Sequence, residues 1–222
     1  APHLARGVKK GEDVSFSSLE SVLMEDGLKD AFSGESMGNT GETVAEEHGI
    51  SRVEADKFSV RSHALANKAW EEGWFNDEVF PVGSLTRDEG IRSETNEEVL
   101  GGLRAVFSKE GQVTAGNSSQ VSDGSSAVLI ASEEAAEELG LPVLAKIVEY
   151  ATSGVEASRV MSAPIPTVEK LLEKSGRTIG EVDILEHNEA FASASCAIRK
   201  SLEVSDDCFN PHGGAIAIGH PL

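Results

Sequence analysis

Two short segments near the end of the sequence carry side chains that could act on a ligand. The first, EHNEAFA at 186–192, places Asn188 and Glu189 where a predicted strand gives way to a predicted helix. Polar groups at the carboxyl end of a strand point into the crevice where α/β proteins bind ligands. A plainer interpretation is that Asn188 caps the helix, because Asn is a favoured N-cap residue.

The second segment, NPHGGAIAIGHPL at 210–222, is rich in glycine and ends on a histidine followed by proline. Paired glycines allow the backbone to approach another group closely. Pro221 fixes φ directly after His220. This stiff scaffold favours one fixed orientation of the imidazole, as a functional histidine requires. The alternative is that His220 has a purely structural role.

Local sequence patterns predict the elements that position these groups. Gly49 is a predicted helix end, and Ser51 with Glu54 predicts a capping box at the start of a helix that stops near Gly73. A further helix is predicted to start near 95. Other helices are predicted at 132–140, 167–176 and 190–202. Strands are predicted at 79–82, 125–131, 143–151 and 182–186. From residue 124 onward strands alternate with helices, which indicates a layered α/β domain.

Composition excludes several classes of partner. The 222 residues include 38 acidic and 19 basic side chains, a net charge of −19. Nucleic acids and anionic membranes are therefore not expected partners, since both require clustered cations. A salt-loving host and an ordinary acidic cytosolic protein both fit this charge. No apolar run approaches the roughly 20 residues of a bilayer span, and two cysteines fit a reducing cytoplasm.

The two segments together resemble the thiolase family. NEAFA at 188–192 and GGAIAIGHPL at 213–222 are thiolase motifs, and their spacing matches as well. Further similar stretches are DGLKDAF (26–32), MGNTGETVAEEHGISRVEADKFSVRSH (37–63), EGQVTAGNSSQVSDGSSAVLIASEEAAEELG (110–140) and VMSAPIPTVEKLL (160–172). The resemblance covers essentially the whole chain.

The resemblance implies a layered α/β/α/β/α thiolase-like fold, incomplete here, with a helix-rich loop domain. In this scheme 1–110 is the loop domain, 111–140 ends the N-terminal half, and 141–222 is a truncated C-terminal half. Because the chain lacks an initiator Met and stops inside a glycine-rich motif, we expect an internal piece of a longer protein. A genuine short paralogue is the alternative. Thiolases form dimers or tetramers, so the intact protein is expected to be a homo-oligomer.

The resemblance also implies a thioester enzyme that uses acyl-CoA as substrate and needs no cofactor or metal. Thiolases cleave 3-ketoacyl-CoA with CoA or condense two acyl-CoA molecules, through a cysteine nucleophile that takes the acyl group. His220 matches the family histidine that activates the nucleophile and donates to the thioester oxygen. Asn188 matches the asparagine that holds a water beside that oxygen. Glu189 matches the adjacent glutamate and is expected to support the site.

Substrate-binding positions follow from the same resemblance. One matches a serine that contacts pantetheine, one a basic residue near the CoA phosphates, and the rest apolar pocket or tunnel positions. They are Ser119, Arg92, Phe191, Met161, Phe107, Ala115, Leu28 and Met37. Phe107 and Leu28 could equally be core residues, and Arg92 could be a surface charge.

Departures from the family pattern leave the function open at several points. The two family cysteines fall outside this chain, and neither Cys196 nor Cys208 is assigned to catalysis. Acetyl-CoA acetyltransferase is the first interpretation. A 3-ketoacyl-CoA thiolase of β-oxidation and a non-catalytic acyl-CoA or lipid carrier are alternatives. A ketoacyl synthase is disfavoured, because such enzymes use histidine where Asn188 stands. We expect the 222-residue chain alone to lack turnover and to expose apolar surface.

Overall fold

The structure, a computed structural model, describes residues 3–5, 10, 13 and 19–221. Two short strands, β1 (His3–Ala5) and β2 (Leu19–Ser21), pair in antiparallel orientation. The α-helices are α1 (Met37–His48), α2 (Arg52–Glu71), α3 (Glu97–Gly101), α4 (Glu133–Glu138), α5 (Pro164–Ser175), α6 (Ala192–Ser201) and α7 (Ala215–Ile218). Short segments of π- or 3₁₀-helix lie at Leu23–Gly27, Ala157–Ser162 and Ile179–Glu181. Within these ranges, no helix has the length and apolar character needed to cross a membrane.

The end of α1 and the start of α2 lie where the sequence predicts them. Gly49 ends α1 in the left-handed conformation with φ 59°, which glycine adopts at little cost. Ser51 and Glu54 then form the predicted capping box. The Glu54 carboxylate accepts from the backbone N–H of Ser51 at 2.8 Å, and the Ser51 hydroxyl accepts from that of Glu54 at 3.3 Å. Local capping therefore sets the start of the long helix α2.

Helix α6 lies at the centre of the core, against α1 and α2. Every residue from 192 to 198 is buried, and most of these side chains are small. Small side chains allow neighbouring backbones to approach from all sides of the helix. The surrounding apolar cluster includes Val44, Ile50, Phe58, Phe209 and Ile216. This core holds the two motif segments, because one enters α6 and the other contains α7.

The predicted strands are the main difference between sequence and structure. The ranges 79–82, 125–131, 143–151 and 182–186 contain no strand. Isolated bridges at Val82–Leu85 and Leu185–Phe209 are the only pairings recorded within them, over the described residues. Val128 and Leu144, which lie in two of these ranges, are 84 % and 96 % exposed. The prediction of strands in these ranges is therefore wrong for this chain.

The physical reason lies in how strands are stabilised. A helix satisfies its backbone groups within one segment, whereas a strand needs a neighbour for its ladder of hydrogen bonds. The apolar runs at 125–131 and 143–151 have no such neighbour among the described residues. They remain irregular segments with exposed apolar side chains, although their composition is typical of buried strands.

Candidate active site

The side chains of Asn188 and His220 meet although 32 positions separate them in the sequence. Asn188 Nδ2 lies 3.2 Å from His220 Nε2. In this orientation Nε2 accepts the hydrogen bond as the neutral imidazole, and with the amide turned over it would donate to the amide oxygen. Asn188 is exposed and His220 is partly exposed. Both groups are therefore accessible to a ligand from solvent.

Asn188 does not cap helix α6. The N-cap residue is Phe191, three positions later, and no side chain makes a capping hydrogen bond there. The helix-cap interpretation is therefore wrong. The turn that carries Asn188 is instead closed by its own carbonyl, which accepts from the backbone N–H of Ala190 at 2.8 Å. This leaves the amide side chain available for His220.

His220 is held by backbone contacts at Gly219 and at its own N–H. Gly219 has φ 100°, and a Cβ there would lie 2.1 Å from the Ser122 hydroxyl, so only glycine fits. The N–H of His220 donates to the carbonyl of Gln120 at 3.2 Å. The Gln120 side chain in turn donates to the carbonyls of Gly90, Ile216 and Ala217, at 2.7, 3.0 and 3.0 Å. Gln120 thus ties the end of α7 to the histidine that follows it.

Glu189 faces inward, away from solvent. It is 0 % exposed, and burial raises the pKa of its carboxyl above the usual range. The carboxylate accepts from the Ser62 hydroxyl at 2.6 Å, from Asn210 Nδ2 at 2.8 Å and from the Ile216 N–H at 3.2 Å. Its contacts are with the scaffold, so its role in this structure is to position the glycine-rich segment rather than to touch a ligand.

Three residues of this scaffold were not identified from the sequence: Ser62, Gln120 and Asn210. Ser62 bridges two parts of the site, because its hydroxyl donates to Glu189 and accepts from the N–H of Gly214 at 3.1 Å. A sequence signal existed for Asn210, which stands directly before Pro211 in the turn-forming stretch NPHGG at 210–214. Ser62 and Gln120 carry no comparable signal, since nothing local marks which polar residue will be buried.

Phe107 and Phe191, two predicted substrate-binding residues, pack against each other. Their ring centroids are 6.2 Å apart in an edge-to-face arrangement. Glycines on α1 make room for both rings. A Cβ at Gly38 would lie 2.3 Å from the Phe107 ring, and one at Gly41 would lie 3.0 Å from Phe191. The aromatic pair is therefore fitted to the start of α1.

The remaining apolar candidates lie in different surroundings. Leu28 and Met37 are joined through their backbones, because the N–H of Met37 donates to the carbonyl of Leu28 at 2.9 Å. Met161 packs against the core cluster beside α6. Ala115 is exposed in the turn before Asn117. The structure thus brings Phe107 together with Phe191 and Leu28 with Met37.

The two polar candidates are placed by backbone contacts. The N–H of Arg92 donates to His63 Nδ1 at 3.1 Å. His63 is 4 % exposed, and burial together with the Arg92 charge lowers its pKa to about 4, so the imidazole stays neutral and can accept this bond. The N–H of Ser119 donates to the carbonyl of Ala190 at 2.9 Å, which places Ser119 beside the Asn188 turn. The Arg92 side chain is exposed.

Neither cysteine is placed as a nucleophile. Cys196 is 4 % exposed within α6, and burial raises the pKa of its thiol to about 12. A thiol that remains protonated is a poor nucleophile. This confirms Cys196 as a small buried apolar residue. Cys208 is partly exposed as a free thiol, and its backbone carbonyl accepts from Leu185 at 2.8 Å.

Two surface depressions lie elsewhere on the protein, and neither is lined by Asn188 or His220. Two depressions of about 430 and 490 Å³ lie on the α1 and α6 sides of the core. Their lining includes His48 and Arg159 in the first and Arg199 in the second. Over the part of the chain that the structure describes, no group of three or more His, Cys, Asp or Glu side chains is arranged to hold a metal ion.

Comparison with known proteins places the chain in a family. Residues 1–134 match the family model "Thiolase, N-terminal domain", and residues 141–222 match "Thiolase, C-terminal domain". The chain therefore belongs to the thiolase family. This confirms the resemblance drawn from the NEAFA and GGAIAIGHPL motifs.

Curated relatives carry two related names. The chain is 43 % identical over 228 residues to an acetyl-CoA acetyltransferase of Shinella zoogloeoides, covering 99 % of this chain and 57 % of that protein. It is 41 % identical to an acetyl-CoA acetyltransferase of Paracoccus denitrificans, covering 100 % of this chain and 59 % of the relative. A "probable acetyl-CoA acyltransferase" of Staphylococcus aureus is 38 % identical over 231 residues, covering 100 % of this chain and 59 % of that protein. The chain thus spans less than two thirds of these relatives.

Solved structures of thiolases follow the same backbone path. Human mitochondrial 3-ketoacyl-CoA thiolase superposes with a TM-score of 0.92 at 38 % identity, over 100 % of this chain and 58 % of that one. The acetyl-CoA acetyltransferase of Bacillus anthracis superposes at 0.90 with 34 % identity, over the same shares. The chain therefore has a thiolase-like fold that covers part of the thiolase length. Its unpaired apolar segments follow thiolase backbone without the neighbours that a complete sheet requires.

Proposed function

We propose that this chain supplies the Asn188 and His220 part of an active site that acts on acyl-CoA thioesters, in an acetyl-CoA acetyltransferase. The observation that carries the proposal is the 3.2 Å contact between Asn188 Nδ2 and His220 Nε2. The relatives named acetyl-CoA acetyltransferase, at 41–43 % identity, support this activity over others. The reaction joins two acetyl-CoA to acetoacetyl-CoA and CoA, and it is reversible.

The proposed chemistry follows from the two side chains. Condensation creates an enolate, so negative charge develops on the thioester oxygen. Hydrogen-bond donors that already point at such an oxygen lower the barrier, because no reorganisation is needed when the charge appears. His220 donates from Nε2 in the tautomer that carries its proton there, and Asn188 holds a water as the second donor. The resemblance to thiolases implies that the acyl group is taken by a cysteine outside this chain. Cys196 is not suited to that role, because it is 4 % exposed and burial raises the pKa of its thiol to about 12.

The test is thiolysis of acetoacetyl-CoA by CoA in the longer protein of which we expect the chain to be part. His220→Ala and Asn188→Ala are expected to lower kcat about 100- to 1,000-fold, as loss of an oxyanion donor does. His212→Ala is the matched control, because this exposed histidine lies in the same segment and packs against Trp74, with the ring centroids 4.3 Å apart and the ring planes tilted by 44°. Wild-type rates in the His220 and Asn188 variants would contradict the proposal.

A second candidate is a 3-ketoacyl-CoA thiolase of longer acyl chains, favoured by the TM-score of 0.92 to human mitochondrial 3-ketoacyl-CoA thiolase. The same assay separates the two, since an acetyltransferase loses rate as the ketoacyl chain lengthens and a β-oxidation thiolase does not. For the 222-residue chain alone we expect no thiolysis. Binding of acetyl-CoA without turnover by the longer protein would favour a carrier instead.

A further inference from the structure

The Asn210 side chain bonds to the main chain of His187 and to the side chain of Glu189, the residues on either side of Asn188. Its Oδ1 accepts from the N–H of His187 at 2.7 Å, and its Nδ2 donates to the carbonyl of the same residue at 2.8 Å. A second Nδ2 hydrogen bond, also 2.8 Å, reaches the carboxylate of Glu189. One amide group therefore bonds to the residue before Asn188 and to the residue after it.

The chemistry of these contacts requires an amide at position 210. His187 presents a donor and an acceptor side by side, as a neighbouring strand would, and only a group with both functions can satisfy the pair. The carboxylate of Glu189 requires a further donor. Aspartate at 210 would lack both N–H bonds and would place a second negative charge beside Glu189. The amide therefore replaces a backbone partner that this turn does not have.

The backbone at Asn210 bears a conformational cost for this arrangement. Its φ is 43°, in the left-handed region that residues other than glycine rarely adopt and that asparagine tolerates best. The residue is 0 % exposed. Glycine would relieve the backbone cost but would supply no amide. The surrounding contacts compensate for the cost, as is common where strained residues support functional sites.

The same network reaches the histidine side of the site. Glu189 accepts from the N–H of Ile216 in α7, and the carbonyls of Ile216 and Ala217 accept from Gln120. The carbonyl of Gln120 accepts from His220. A chain of buried and partly buried hydrogen bonds therefore runs from Asn210 to the backbone of His220, and the contact between the Asn188 and His220 side chains completes a closed loop.

We propose that Asn210 is a positioning residue whose buried amide, clamped on His187 and Glu189, sets the distance between the Asn188 amide and the His220 imidazole. This inference rests on the proposed thiolase function and adds a residue that does not itself touch substrate. A displacement of about 1 Å at a reacting group can cost about 100-fold in rate. Loss of the Asn210 hydrogen bonds to His187 and Glu189 should therefore displace Asn188 and lower kcat.

The kinetic test is a double-mutant cycle in the longer protein. Asn210→Ala is expected to lower kcat for acetoacetyl-CoA thiolysis about 10- to 100-fold with KM changed less than about threefold. In the Asn188→Ala background the same substitution is expected to add less than about threefold, because the group that it positions is already absent. Equal losses in both backgrounds would overturn the proposal.

Asn117→Ala is the matched control for a merely structural effect. Asn117 is 2 % exposed and bonds through its amide to Asp56 and to the backbone of Thr114 and Gln112, away from His187. Its effect on kcat is expected to be the same with and without Asn188. Asn210→Gly is the second variant if the alanine variant does not fold, since glycine accepts φ 43° without strain. A glycine variant with wild-type kcat would also overturn the proposal.

A crystal structure of the Asn210→Gly variant provides a readout that does not depend on activity. The gap between Asn188 Nδ2 and His220 Nε2 is expected to widen beyond hydrogen-bonding distance, from 3.2 Å. An unchanged gap contradicts the positioning role even if kcat falls. If the gap widens in the variant but the unmutated longer protein catalyses no thiolysis, the positioning role is supported and the thiolase function is rejected.

Discussion

The Ser62 hydroxyl donates a 2.6 Å hydrogen bond to the carboxylate of Glu189, joining helix α2 to a turn 127 positions later. Both residues are 0 % exposed. Through Ser62 the same contact extends to the N–H of Gly214, where a Cβ would lie 2.4 Å from the Glu189 side chain. The candidate site is therefore built on a buried carboxylate that three different segments share.

Removal of the Glu189 carboxylate should destabilise the fold strongly. Glu189→Ala leaves the donors of Ser62, Asn210 and Ile216 unsatisfied in the interior, and the expected loss is about 3–5 kcal/mol of unfolding free energy. Glu189→Gln keeps one acceptor oxygen and should lose about 1–3 kcal/mol. Urea unfolding measures both values.

Glu97→Ala is the control for the Glu189 variants. Glu97 is exposed and lies 4.0 Å from Lys57, so its removal should change stability by less than about 0.5 kcal/mol. A Glu189→Ala loss as small as that of Glu97→Ala would contradict the buried network.

Stability should fall as the pH is lowered through the titration range of two buried histidines. Burial lowers the pKa values of His63 and His187 to about 4, from an ordinary value of 6.5. Because the folded-state pKa is below the unfolded one, this contribution is present above about pH 6.5 and is lost toward pH 4. Lowering the pH from 7 to 5 should remove about 2 kcal/mol of unfolding free energy for each of these histidines.

His63→Gln tests this pH dependence, since glutamine can accept from the N–H of Arg92 but does not titrate. The variant should lose about 2 kcal/mol less than the wild type between pH 7 and pH 5. Ser59→Ala, in the same helix, should keep the wild-type slope although it removes a buried hydroxyl. Parallel pH profiles for His63→Gln and wild type would reject the explanation.

Gly38→Ala should disturb the aromatic pair beside α1. The new Cβ would lie 2.3 Å from the Phe107 ring, and the overpacking should cost about 1–3 kcal/mol of unfolding free energy. Phe107→Ala in the same chain should relieve the overlap, so that the double variant loses less than the sum of the two single variants. Gly101→Ala is the control, because nothing lies within 4 Å of a Cβ there. Additive losses would mean that the overlap does not occur.

The 222-residue chain should associate through its unpaired apolar segments. Leu129 and Leu144 are 78 % and 96 % exposed, among several neighbours of the same kind. Contiguous apolar surface of this kind promotes association. Leu129→Asp with Leu144→Asp should lower the sedimenting mass, and Val53→Asp, at an exposed position on α2, should not. A wild-type chain that sediments as a monomer and binds no hydrophobic dye would refute the prediction.

Much of the helical structure could be predicted from short stretches of sequence. Ser51 and Glu54 cap α2 as predicted, and the glycines at 49 and 176 end their helices in the left-handed conformation. Caps and helical hydrogen bonds join residues a few positions apart, so the signal is local. The strands could not be predicted in the same way. An apolar run such as 125–131 indicates that a segment suits a sheet, but pairing depends on a partner elsewhere in the chain.

The candidate site likewise has features that the local sequence predicts and features that depend on distant segments. The family and its two motifs could be recognised from the order of the residues alone, because NEAFA and GGAIAIGHPL are contiguous. Tertiary structure alone decided that Asn188 turns to His220 rather than capping α6, and that Glu189 faces the interior. It also placed Asn210, Ser62 and Gln120 in the hydrogen-bond network that supports the site. Hydrogen bonds between distant segments depend on which polar groups folding brings together out of water, and no local pattern encodes that pairing.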